Sequence, residues 1–189
     1  WLLKKLNFST MFLRGGYKKY RNAILDKFQD DYKLKIIGGK TGTGKTKLLN
    51  ILKENNYQVI DLESLANHRG STFGSLGMKE QPSNEQFENL IADELYKFNY
   101  QRNIFIEAES SNIGRCRVPN HLFKKMKIAP RIEILRSEKD RIEELVKTYS
   151  VFSKKELINS ILRITKRLGP QRTKLAIQSV EVENWGNVC

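Results

Sequence analysis

Residues 39–46 read Gly-Lys-Thr-Gly-Thr-Gly-Lys-Thr, and Gly39, Gly44, Lys45 and Thr46 fit the pattern G-x-x-x-x-G-K-[ST]. A loop of this kind holds phosphoryl oxygens. Its glycines let the backbone N–H groups along Gly39, Thr41, Gly42, Thr43 and Gly44 turn inward, and the helix N-terminus that follows adds partial positive charge. Lys45 supplies a point charge, and the Thr46 hydroxyl is a ligand for Mg²⁺ where one is bound. Nothing in the loop reads a base. ATP, GTP and diphosphates without a base therefore all stay open at this point.

Four carboxylates fall where chemistry beside such a loop would need them. Asp61 and Glu63 follow the apolar segment 57–60, and Glu107 and Glu109 close the apolar segment 103–106. An acidic residue ending a hydrophobic strand next to a phosphate loop is placed to hold Mg²⁺ or orient a water. Asp61, Glu107 and Glu109 are thus expected to join Thr46 around Mg²⁺, with Glu107 also a candidate base. Between them runs "NHRGSTFGSLG", residues 67–77, in which His68 is a candidate general acid or base and Arg69 a candidate phosphate clamp. "ESSNIGRCR" sets Arg115 just beyond the third apolar segment as a further phosphate contact. A guanine-reading Asn-Lys-x-Asp motif is absent, and so is the protein-kinase set.

The elements that must carry these residues are legible as alternation. Short β-branched runs at 34–37, 57–60, 103–106 and 131–135 read as strands. Helical patterns lie between them. Leu48, Leu49, Ile51 and Leu52 recur at helical spacing after the loop. Ser83 and Gln86 start a capping box before Phe87, Leu90, Ile91 and Leu95. Pro119 reads as a first-turn proline for "NHLFKKM". Ser153 and Glu156 form a second capping box, and that helical stretch stops at Gly169-Pro170. Strands alternating with helices predict an α/β fold: a P-loop NTPase-like parallel sheet flanked by helices, with a helical C-terminal region. Ligands of such sheets bind at the carboxyl ends of the strands. Residues 1–30 read differently, as a linker or the tail of another domain, with the P-loop domain over 31–189.

The chain has 189 residues and a net charge of +13 that is unevenly placed. Residues 1–60 carry 13 Lys/Arg against 4 Asp/Glu, residues 61–114 carry 4 against 9, and residues 115–189 carry 17 against 8. Two basic flanks around an acidic centre suit a polyanion held at the ends and carboxylate chemistry in the middle. No run of about 18 apolar residues exists, so no membrane-spanning helix is expected. The start, "WLLKKLNFSTMFLRGG", is too broken for a secretory signal. Cys116 and Cys189 are too few for a disulfide framework or a zinc site, which fits the reducing cytoplasm.

In order after the glycine loop, "DLESLANHRGSTFG", "QPSNEQFENL", "IEAESSNIGRCRVP" and "RLGPQR" closely resemble the P-loop domain of tRNA 2-selenouridine synthase. The resemblance covers roughly residues 15–175, and "LRGGYKKYR" resembles the segment that joins the family's rhodanese domain to this one. It implies a transferase acting on tRNA with wobble 2-thiouridine. It implies geranyl diphosphate and selenophosphate as the co-substrates, with selenium replacing sulfur through an S-geranylated intermediate. The phosphate held by Gly39–Thr46 is then the diphosphate of a prenyl donor. No rhodanese-like cysteine setting is present, so a rhodanese-like domain or protein is expected as a partner, either separate, as in split archaeal forms, or part of a longer chain. For tRNA the candidates are Lys18, Lys19, Arg21, Arg163, Lys166, Arg167 and Arg172, with Phe73 as a platform for the unstacked base. The alternatives are an ATP-dependent small-molecule or nucleoside kinase and a non-catalytic tRNA-binding subunit.

Overall fold

The computed structural model describes residues 2–188, side chains excepted at 2 and 187, so Cys189 lies outside the described residues. Its centre is a four-stranded parallel sheet: β1 Leu34–Gly38, β2 Gln58–Ile60, β3 Ile104–Glu107 and β6 Arg131–Glu133, in the order β2-β3-β1-β6. β1, β2 and β3 are buried on both sides because both faces are covered. Leu34, Ile36, Ile60, Ile104 and Ile106 point into one core cluster, while Ile37, Val59 and Phe105 meet Leu49 on the other face. Only β6, an edge strand, is exposed along its length. A small antiparallel hairpin, β4 Asn112–Ile113 with β5 Cys116–Arg117, follows β3.

Two short helical pieces come first, α1 Leu2–Lys5 and α2 Gly16–Lys27. Residues 3–19 are exposed, but Ile24 and Phe28 are each 1% exposed and belong to the main core. The core therefore begins before residue 30. Helix α3 (Lys45–Glu54) leaves the glycine loop, and the single turn α4 (Leu62–Leu65) follows β2. Helix α5 (Asn84–Tyr96) starts at Ser83, whose hydroxyl accepts from the Gln86 amide at 3.1 Å, and it buries Phe87, Ile91 and Leu95. Pro119 is the N-cap of α6 (Asn120–Ile128), one position earlier than a first-turn proline.

The C-terminal region is helical, as the sequence predicts. It comprises α7 (Glu138–Tyr149), α8 (Lys154–Arg163), α9 (Thr165–Leu168) and α10 (Pro170–Glu181), then a 3₁₀ turn at Trp185–Asn187. The Ser153–Glu156 capping box forms in full. Gly169 ends α9, and Pro170 opens α10 at its first turn. These helices form a second core of Tyr149, Leu157, Ile161 and Val180, which Leu76 of the 67–77 loop joins.

Candidate phosphate site and its carboxylate wall

The register of the sheet assembles the site. β1 lies beside β3 with Ile37 opposite Glu107, and β2 lies on the far side of β3. The loop after β1, the turn after β2 and the end of β3 therefore converge at the carboxyl edge. They enclose a pocket of about 730 Å³ lined by the whole of Gly39–Lys47 with Asp61, Glu63, Arg69 and Glu109.

The loop is held in place from both sides. Thr43 donates to the Lys40 carbonyl at 2.8 Å through its hydroxyl, and Lys45 Nζ donates to the Gly39 carbonyl at 2.9 Å. Gly42 and Gly44 have φ of +82° and +91°, which L side chains rarely adopt. At Gly42 there is also no room, since a Cβ would stand 2.8 Å from the Arg141 carbonyl of α7. Helix α7 straps the loop: Arg141 Nε donates to the Thr41 carbonyl at 2.9 Å and Arg136, just before α7, to the Gly42 carbonyl at 3.2 Å. Glu144 adds an ion pair to Lys47 at 2.7 Å.

The opposite wall is acidic. Oxygens of Glu63, Glu107 and Glu109 all lie within 4.8 Å of one another. Glu107 is 0% exposed; one of its oxygens accepts from the Glu63 amide at 2.6 Å, and Oε2 has no partner. Burial, with Glu63 and Asp61 close by, pushes the Glu107 carboxyl up to about 9. Burial and then Glu109 raise Glu63 to about 7, against the pull of Lys45. Glu109 is raised too, chiefly by burial. Three crowded carboxylates with an orphaned buried oxygen fit a hard divalent cation such as Mg²⁺.

Asp61 lines the pocket, but its side chain accepts from the Ser64 amide at 2.8 Å as the N-cap of α4. The carboxylate that joins Glu107 and Glu109 is Glu63, two residues on. The signal available was Glu63 itself, since the turn after β2 offers both residues. Thr46 and Arg69 line the pocket as expected, with Arg69 Nη1 donating to the Leu76 carbonyl at 2.6 Å. His68 is not in the lining. Its Nδ1 accepts from the Gly70 amide at 3.1 Å, and burial lowers its pKa, so it braces its own loop as a neutral ring.

Arg115 also lies away from the pocket, donating to Glu80 at 3.0 Å and to the Gln81 carbonyl. Arg21 is paired with Glu88 and Asn89 of α5, its side chain 15% exposed, so it ties two helices together and does not present a free cation. Lys18, Lys19, Arg163, Lys166, Arg167 and Arg172 are exposed. Phe73 is half-buried against Tyr149, with ring centroids 5.3 Å apart. Arg136 and Arg141, before and on α7, and the residues around Tyr149 are the part that sequence reasoning missed.

A glycine loop between a central parallel strand and a helix, facing carboxylates at neighbouring strand ends of a helix-flanked parallel sheet, defines an α/β domain of the P-loop NTPase-like class. The chain belongs to the family described as the tRNA 2-selenouridine synthase AAA domain, whose model matches residues 32–183. It is 35% identical over 184 residues to the tRNA 2-selenouridine synthase of Marinobacter nauticus, covering 85% of this chain and 48% of that protein. With that of Aeromonas salmonicida it is 35% identical over 190 residues, covering 89% and 50%. The chain thus spans about half the length of the curated relatives it matches. A solved DNA replication initiation factor is 20% identical, with a TM-score of 0.33 over 95% of this chain and 65% of that one.

Proposed function

We propose that this chain is the phosphate-holding part of a tRNA-modifying transferase that acts on wobble 2-thiouridine. In this reading it transfers a geranyl group from geranyl diphosphate to sulfur. Replacement of that sulfur by selenium from selenophosphate then follows with a rhodanese-like domain or partner, for which residues 1–30 serve as the linker or tail. The exposed lysines and arginines engage the tRNA, in the cytoplasm where that RNA resides. No described helix is long and apolar enough to cross a membrane.

The observation that carries the reading is the strapped glycine loop with Lys45, in a chain of this family. Alkylation of the thione needs a stabilised leaving group. The sulfur forms a bond to C1 of the prenyl group, and the C1–O bond breaks with its electron pair leaving on the diphosphate. Loop amides and Lys45 face the charge that develops there. The N3 proton of the base is lost to water. A divalent cation held by Glu63, Glu107 and Glu109 would add positive charge beside the diphosphate.

Thermal denaturation with geranyl diphosphate and with ATP tests the reading, because a ligand that binds only the native state raises apparent stability. A rise with geranyl diphosphate that ATP does not match is expected. Stabilisation by ATP alone, with ATP turnover, would install the kinase alternative.

A further inference from the structure

A second cavity, of about 280 Å³, adjoins the phosphate pocket, and Thr41, Leu145 and Tyr149 line both. The character changes across that shared wall. On one side stand the loop, Lys45 and the carboxylates. On the other, eight of thirteen lining side chains are aliphatic or aromatic, among them Phe73, Val146, Leu157 and Ile164, with Trp185 and Val188 from the C-terminal turn. Two of the polar liners are already engaged: Ser71 Oγ is bonded to the Tyr149 hydroxyl at 2.8 Å, and Arg141 holds the Thr41 carbonyl. The cavity exists because the C-terminal helices fold back over the loop, α7 meeting the 3₁₀ turn.

A mostly apolar cavity binds an apolar group, and one that shares a wall with a phosphate loop suits a molecule phosphorylated at the other end. We propose that this cavity receives the hydrocarbon chain of an isoprenoid diphosphate whose head sits in the glycine loop. Tyr149 marks the boundary between head and tail, and Trp185 and Val188 limit chain length. The inference rests on the diphosphate reading of the loop and adds to it a site for the tail.

Calorimetric titration of the full chain with inorganic pyrophosphate, dimethylallyl diphosphate, geranyl diphosphate and ADP tests it, with Trp185 fluorescence as a second signal. Each buried methylene is worth roughly fourfold in affinity. Geranyl diphosphate is therefore expected to bind at least ~100-fold tighter than pyrophosphate and at least ~10-fold tighter than the dimethylallyl compound. Val146→Trp, which fills the cavity from a half-buried position, should bring geranyl diphosphate down to the pyrophosphate level and leave pyrophosphate unchanged. The chain-length series on the unaltered protein gives the same answer if that variant does not fold. Pyrophosphate binding with no gain along the series would overturn the tail site while sparing the loop. A gain with ADP equal to that with geranyl diphosphate would make the cavity a nucleobase site and overturn the proposal too. Failure of pyrophosphate itself to bind would remove the loop reading, and this inference with it.

Discussion

Glu107 is buried completely, with one oxygen on the Glu63 amide and the other unpartnered, and two more carboxylates stand against it. A carboxyl whose folded-state pKa is raised favours its protonated form. Its contribution to stability is full below the ordinary carboxylate range and is lost as pH rises through the folded value. For this cluster the losses run through about 7 for Glu63 and up to about 9 for Glu107. In chelator, the melting temperature is therefore expected to fall between about pH 5 and about pH 9, and Glu107→Gln should flatten the upper part of that fall. Mg²⁺ should raise the melting temperature more at the alkaline end, because deprotonated carboxylates bind it. Melting curves across pH, with and without Mg²⁺, check both; a melting temperature that climbs with pH in chelator contradicts the arrangement. The sequence made the acidic end of β3 legible because a short apolar run closing in Glu is a local signal. It could not separate Asp61 from Glu63. That choice depends on Asp61 capping α4, which frees Glu63 to face Glu107.

At the scale of elements, the glycine loop is one half of a joint and α7 is the other. The strands and the helices that begin at Ser83 and Ser153 were readable, since periodicity and capping boxes are written within a few residues. Helix α7 carries no such local signal. Its Ser137 cap is followed by Asp140 rather than Glu or Gln, and its apolar stripe is thin among charges. Its purpose lies in tertiary contacts: Arg141 on Thr41, Glu144 on Lys47, and the backbone at Arg141 packed against Gly42. Gly42→Ala should thus combine a strained positive φ with a clash against α7, at a cost of about 1–3 kcal/mol. Denaturant unfolding measures that cost, and phosphate-ligand affinity should fall with it. Arg141→Ala, which removes the strap and leaves the backbone room, should weaken ligand binding with a smaller loss of stability. If Gly42→Ala is neutral on both counts, α7 does not set the loop.

For the whole molecule, the net charge of +13 gathers in two basic flanks around an acidic centre, and in the proposed reading those flanks are the surface offered to tRNA. Lys18 and Lys19 are exposed on α2, and Arg163, Lys166, Arg167 and Arg172 are exposed on and between α8 and α10. Charge arithmetic found these clusters, but it could not tell that Arg21 is bound to Glu88 and Asn89, because that pairing joins residues far apart in the chain. Phosphate contacts release counterions, so log affinity for tRNA should fall linearly with log salt. Reversing charge at Lys166 and Arg167 together should weaken thiolated and unmodified tRNA alike and reduce the salt slope by about 1.4–1.8. Filter binding at several salt concentrations measures this, and a salt-independent affinity contradicts it. The most direct test of the central claim is mass spectrometry of nucleosides from 2-thiouridine tRNA after incubation with this chain and geranyl diphosphate. The account predicts S-geranylated 2-thiouridine with the unaltered chain and none with Lys45→Ala, which gives up a single side-chain hydrogen bond, to the Gly39 carbonyl. Product formed equally by Lys45→Ala, or no product from an unaltered chain that binds both substrates, would contradict it.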